Sequence, residues 1–289
     1  MPDLWNKDKE IEFFTEAQNF ASPEKLFYQG DDLKYYAYWP KSYKGKKPSV
    51  LQSRNALIGN FTEKFTVNLL TEFAALNNCY AIQGVVCEEI GLTKQSPADV
   101  ALCTTINVDQ DVDNIKAIFE VKMSIVWNWE LSDNELICLG DYTKHKGNPG
   151  LLRSDSMLKA IGKCINIRVS GTKSSQIPII VLGNTPISKS YVSKVDHLRN
   201  CGIIQGFWSI NPRPVDSYNA NNIKNSVAEG FIRIDTYNEL KNYLDNLLIE
   251  EHEFFSSMKS KEELGKIISI SNDEPTFVLK AEKFLDLIR

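Results

Sequence analysis

Three apolar, β-branched runs follow one another closely: residues 80–87 (YAIQGVVC), 99–106 (DVALCTTI) and 115–123 (IKAIFEVKM). Such runs, bounded by turn residues, are strands. The connections between them are short, and VDQDVDN makes the last pair a hairpin. An amphipathic helix over residues 55–76 precedes them. A second helix follows at residues 154–169, with Ser154 or Asp155 as its cap. Its residues Met157, Leu158, Ile161 and Ile165 are expected on the core, with Lys159 and Lys163 on the other side. The run IPIIVLG (177–183) has no polar alternation and reads as a strand buried on both faces by parallel pairing. A helix at 188–200, a strand at 203–210 and a helix at 236–255 complete the series, and a further helix lies at 8–19. This order gives an α/β fold with helices flanking a mixed central sheet.

Composition limits the function classes. The chain of 289 residues carries 43% apolar and 24% charged residues, as a globular protein does. No run approaches the roughly 18 apolar residues of a membrane span. The acidic, mixed start MPDLWNKDKEIEFF is unlike a signal peptide, so a cytoplasmic location is expected. The six cysteines form no CxxC pair and read as reduced residues in apolar surroundings; the three histidines form no metal motif. The formal net charge of −4 is uneven, because residues 229–289 hold 13 acids and 8 bases. Basic clusters occur at Lys41, Lys44, Lys46 and Lys47, and at Lys144, His145, Lys146 and Arg153. Such clusters permit contact with phosphate and also suit a solvated loop.

The chemistry-bearing residues are acids in apolar contexts. On a wheel of the 55–76 helix, Glu63 falls between Leu70 and Ala74, inside the apolar arc. Either it belongs to the start of the helix, near the positive dipole end, or it points into a polar pocket on the core face. Asp99 opens the second strand. Glu120 and Lys122, two apart on the third, share a face. A hairpin about residues 107–113 brings Asp99 and Glu120 level, against the helix that bears Glu63. Neighbouring carboxylates repel unless a cation lies between them. A set of oxygen donors without Cys or His suits a hard ion such as Mg²⁺.

The segments GNFTEKF (Gly59, Glu63), SPADVAL (Pro97, Asp99) and FEVKMS (Glu120, Lys122) resemble the PD-(D/E)xK nucleases, and among them the type II restriction endonucleases. Asp99 and Glu120 are separated by 21 residues, a gap that the family accommodates. The family core of helix, three strands, helix and strand matches residues 55–183. One departure is Ala98, which stands between Pro97 and Asp99 and breaks the literal Pro-Asp pair.

The resemblance implies one restriction-endonuclease-like domain over 1–289. Its nuclease core is at about 55–210, and segments 1–54 and 211–289 elaborate DNA recognition and dimerisation. It implies Mg²⁺, with Mn²⁺ as a substitute, held by Asp99, Glu120 and Glu63, and it makes Lys122 the residue that orients the attacking water. The expected activity is site-specific hydrolysis of double-stranded DNA by a homodimer with no membrane association. The loop with Lys144, His145, Lys146, Asn148 and Arg153 is the candidate DNA contact. The alternatives are a structure-specific or repair nuclease of the same fold, and a non-catalytic DNA-binding or assembly protein.

Overall fold

Apolar alternation and β-branching set the strands, and the computed structural model describes residues 2–44, 51–133, 135–217, 223–249, 254 and 259–288. Helix α1 (Lys7–Ala17) starts where the Asn6 side chain accepts the Lys9 amide at 3.0 Å. The short α2 (Pro23–Leu26) and two-residue strands β1 (Tyr28–Gln29) and β2 (Tyr35–Tyr36) follow. Helix α3 (Gln52–Leu76) leads into β3 (Tyr80–Val85), β4 (Ala98–Cys103) and β5 (Ile115–Val121). A hairpin of β6 (Asn128–Ser132) and β7 (Glu135–Gly140) precedes α4 (Ser154–Ser170). Next come β8 (Ile179–Gly183), α5 (Val192–Asn200), β9 (Gly206–Ser209), β10 (Phe231–Arg233) and α6 (Tyr237–Ile249). Helices α7 (Lys261–Asn272) and α8 (Phe277–Ile288) end the chain.

The main sheet has the order β10-β9-β8-β5-β4-β3. Strands β3, β4 and β5 pair antiparallel, whereas β5, β8, β9 and β10 run parallel. Every residue of β8 is buried, as parallel pairing between two helical layers requires. The carboxyl ends of β5, β8, β9 and β10 therefore gather on one edge, together with the start of β4. Backbone bonds from Lys122 to Leu182 (2.7 Å), Ile210 to Gly183 (2.9 Å) and Ile234 to Ser209 (2.8 Å) extend the pairing to that edge.

The sheet separates two apolar clusters. Leu69, Leu70 and Phe73 of α3 pack with Val100, Leu102, Phe119 and Val121 on one face. Met157, Ala160 and Cys164 of α4 pack with Ala101, Ile118 and Val181 on the other. Full burial of each large side chain stabilises the fold by about 1.5–3 kcal/mol. A second, antiparallel sheet of order β1-β2-β6-β7 joins through α1. There the fully buried Glu10 carboxylate accepts from Val126 N (2.5 Å), Trp127 N (3.2 Å), Trp129 Nε1 (2.8 Å) and Trp5 Nε1 (3.2 Å). Burial pushes its carboxyl up to about 7 against these four donors.

Several expectations need correction. The cap of α4 is Arg153, without a side-chain bond, rather than Ser154 or Asp155. Leu158 and Ile165 of α4 are exposed, because the small Ala160 and Cys164 lie against the sheet. The second sheet is unanticipated, and the main sheet gains a strand at Phe231–Arg233. The acidic tail contains two helices; residues 250–253 and 255 of the expected 236–255 helix lie outside the described residues. Among the described residues no helix is long and apolar enough to cross a membrane.

Candidate active site

The pairing of Val100 with Phe119 sets Asp99 and Glu120 side by side at the edge where β5 ends. Alternation fixes the direction of Glu120: Phe119 and Val121 face α3, so Glu120 faces α4, whereas Asp99 lies where β4 changes face, between Ala98 on the α4 side and Val100 on the α3 side. Glu120 thus points toward α4, the layer opposite the helix bearing Glu63, while the charge of Asp99 reaches Glu63 on α3.

Two lysines grip the acids. Lys122 Nζ lies 2.5 Å from Glu120 Oε1 and 3.2 Å from Asp99 Oδ2, and it donates to the Val121 carbonyl at 3.0 Å. Lys163 Nζ, reaching from α4, lies 2.6 Å from Glu120 Oε2 and 2.7 Å from Asp99 Oδ1. The Val121 amide donates to Asp99 Oδ2 at 2.8 Å and locks that carboxylate. Glu120 is only 3% exposed, and its buried Oε2 receives no well-directed hydrogen bond despite the nearby ammonium. Two negative and two positive groups give this buried cluster no net charge, which is what makes it tolerable away from water.

The two acids titrate apart. Burial drives both carboxyls up. At Asp99 the charges of Lys122 and Lys163, with the Val121 amide, outweigh burial and hold it below the usual range. At Glu120 burial and the neighbouring Asp99 charge win, and its carboxyl stays above the usual range. Burial works against the charge on both lysines, but Glu120 and Asp99 more than offset it and raise them. Lys122 and Lys163 are therefore ammonium donors at neutral pH, fitted to stabilise anionic charge rather than to take a proton.

Glu63 lies more than three turns into α3, because the helix begins at Gln52. The helix-start reading fails on that count, since the dipole effect fades within the first turn. Its Oε2 accepts from Gln83 Nε2 at 2.8 Å, and Gln83 also donates to Asn60 Oδ1 at 3.2 Å. Burial raises the Glu63 carboxyl, Gln83 pulls it back, and the charge of Asp99 raises it again. Glu63 thus feels the charge of Asp99 while bonding elsewhere. Among the described residues no group of three or more His, Cys, Asp or Glu side chains is placed to hold a metal ion. The carboxylate pair itself fits Mg²⁺, which is commonly bound through one or two carboxylates plus water and substrate phosphate. Glu120 Oε2, 2.6 Å from the Lys163 ammonium, already faces a cation at the position such an ion would take.

The expected DNA-contact loop divides. His145 is buried, stacked on Tyr38 with ring centroids 4.0 Å apart, and its Nε2 lies 3.4 Å from the Val126 carbonyl. Burial lowers its pKa to about 4. It is a neutral residue buried in the core, where the sequence reading expected an accessible contact. Lys144, Lys146, Asn148 and Arg153 are exposed, with Lys146 bonded to the Tyr43 carbonyl and Arg153 3.4 Å from Asp155. Lys41 and Lys44 are also exposed, while Lys46 and Lys47 lie outside the described residues. The end of this loop seats against the site. At Gly150 (φ +51°) a Cβ would meet Thr185 Oγ1 at 2.9 Å and the Lys122 carbonyl at 3.2 Å.

Lys163 is the site residue that the sequence reading misplaced. The signal that identifies it is its spacing from Ala160 and Cys164, the small residues that mark the face of α4 against the sheet. The same sheet edge carries a cavity of about 980 Å³ beyond β9 and β10, lined by Asn6, Lys7, Asn211, Arg213, Arg233 and Tyr237 among others. No protein-family model, curated protein or solved structure matches the chain.

Proposed function

We propose that this protein is a Mg²⁺-dependent endonuclease that hydrolyses double-stranded DNA at specific sites, of the PD-(D/E)xK type. The observation that carries the reading is the convergence of Asp99, Glu120 and Lys122 at one buried edge of the sheet. The order of α3, three strands of the main sheet, α4 and β8, with the β6–β7 hairpin inserted before α4, supports it. Asp99 and Glu120 would hold Mg²⁺, with Glu63 reserved for the outer surroundings through Gln83. When bound, Mg²⁺ polarises the phosphodiester and makes water a better nucleophile. The Val121 amide keeps Asp99 oriented, and the Lys122 ammonium donates toward the developing phosphate charge. In the net reaction a water oxygen bonds to phosphorus, the bond from phosphorus to one sugar oxygen breaks, and that oxygen gains a proton.

The DNA is read as running along the carboxyl edge of the sheet toward the cavity at β9 and β10. Strands lie roughly 4.8 Å apart, so three strand spacings separate the acid pair from β10 by about 14 Å. Arg213, exposed at the cavity, is the preferred phosphate or base contact there, in place of His145. Cutting both strands of a two-fold site calls for a homodimer.

The test is incubation of plasmid DNA with Mg²⁺, Mn²⁺, Ca²⁺ or chelator. Discrete fragments with Mg²⁺ or Mn²⁺, lost in chelator and in Asp99→Ala, are expected. Cleavage confined to branched or damaged DNA would point to a structure-specific nuclease of the same fold. Binding without cleavage under every metal would refute catalysis and leave a binding protein.

A further inference from the structure

The two lysines divide the four carboxylate oxygens between them. Lys122 takes Asp99 Oδ2 and Glu120 Oε1, and the first of these is also fixed by the Val121 amide. Lys163 takes the other two, Asp99 Oδ1 and Glu120 Oε2. Lys122 has a third partner in the Val121 carbonyl and sits beside it in the chain. The two ion pairs are the contacts that the structure shows for Lys163, and its flexible stem hangs from a different layer. Its side chain is 19% exposed, which leaves a way out to solvent. Glu120 Oε2, on the Lys163 side, is the oxygen without a well-directed hydrogen bond.

We propose that Lys163 is a resident counterion of the metal site, occupying the Asp99 Oδ1–Glu120 Oε2 position that a divalent cation takes, so that metal entry expels Lys163 and leaves Lys122 in place. This rests on the metal-binding reading above. The cation brings two positive charges to a place where Lys163 supplies one, and the two cannot share it. Lys163 therefore weakens metal binding while stabilising the metal-free protein. Once expelled, its ammonium stands at the rim of the site, where the scissile phosphate arrives. Metal entry and substrate binding are coupled through one side chain.

The experiment is titration calorimetry with Mn²⁺ and Mg²⁺, without DNA, on the wild type, Lys163→Met and Lys163→Arg, with the exposed Lys159→Met as control. Lys163→Met is expected to bind Mn²⁺ about tenfold tighter or better. Its metal-free Tm falls and its metal-induced rise in Tm grows, whereas Lys163→Arg and Lys159→Met stay near the wild type. A second measurement needs no variant. Acylation of the wild type, read by peptide mass spectrometry, should show Lys163 becoming more reactive with Mn²⁺ while Lys122 remains protected. Equal or weaker Mn²⁺ affinity in folded Lys163→Met, or unchanged Lys163 labelling in metal-saturated wild type, overturns the counterion role and leaves the nuclease reading standing. Absence of metal binding in all variants overturns both.

Discussion

Asp99→Asn and Glu120→Gln each remove one negative charge from the same buried cluster, yet they act on the metal-free protein to unequal extents. Asp99 ionises more readily in the fold than in the unfolded chain, so neutralising it forfeits stability. Its oxygens meet the Val121 amide at 2.8 Å, Lys163 at 2.7 Å and Lys122 at 3.2 Å. An asparagine retains one acceptor and turns an amide group toward an ammonium. Breaking a buried ion pair from one side costs about 3–5 kcal/mol. That is a large part of a total of about 5–15 kcal/mol, or roughly 10 °C in Tm. Glu120 ionises less readily in the fold, so its amide counterpart forfeits less stability than Asp99→Asn, although it too leaves Lys122 and Lys163 with one carboxylate fewer. The pH dependence follows the same logic. The Asp99 contribution is complete above the ordinary aspartate value of 3.8 and disappears as pH falls through its lower folded value. The Glu120 contribution is complete below 4.5 and is lost as pH rises through its higher folded value. Urea denaturation in chelator, from pH 8 to pH 3, reads both. The gap between wild type and Asp99→Asn should hold from pH 8 to pH 6 and close in acid. Equal losses in the two variants, or a larger loss in Glu120→Gln, would refute the assignment of the charges.

Three further outcomes are expected. Asp99→Ala, Glu120→Ala and Lys122→Ala should each lower cleavage at least about 100-fold while DNA binding in Ca²⁺ persists, as gel shift and plasmid assays can show. Glu63→Gln should leave the metal-free protein as stable or more stable in thermal melts while reducing cleavage; a lower metal-free Tm with normal cutting would make Glu63 a purely structural residue. His145, neutral in the fold with a pKa of about 4 against an ordinary 6.5, should cost the protein roughly 3 kcal/mol as pH falls between those values. His145→Phe should flatten that part of the urea-derived stability profile and leave DNA affinity unchanged.

The strands and the acid pair were legible because each depends on local pattern. The β-branched runs, the hairpin and the two-residue spacing of Glu120 and Lys122 need no tertiary knowledge. The parallel strand at Ile179–Gly183 was legible for the same reason, since burial on both faces removes polar alternation. The layer into which Glu120 points was not, because alternation gives two faces without naming the helix that covers each. Lys163 was missed because large residues dominate an apolar arc, whereas a helix lying on a sheet approaches through Ala160 and Cys164. His145 looked like part of a basic loop, and only the long-range approach of Tyr38 makes it a core residue. The second sheet has strands as short as Tyr28–Gln29 and Tyr35–Tyr36, below the length at which periodicity can speak.

Helices α7 and α8 pair with each other, and only Ser271 and Ile288 are buried in them. Little apolar surface ties them to the two sheets, so their opening free energy is expected to lie well below that of the sheets. All five tryptophans lie before residue 209, outside this hairpin. Indole fluorescence therefore follows the sheets alone, while far-ultraviolet ellipticity sums over both parts. On heating, ellipticity should begin to fall before the fluorescence changes, and a two-state fit to the ellipticity alone would return too small an enthalpy for the body that carries Asp99 and Glu120.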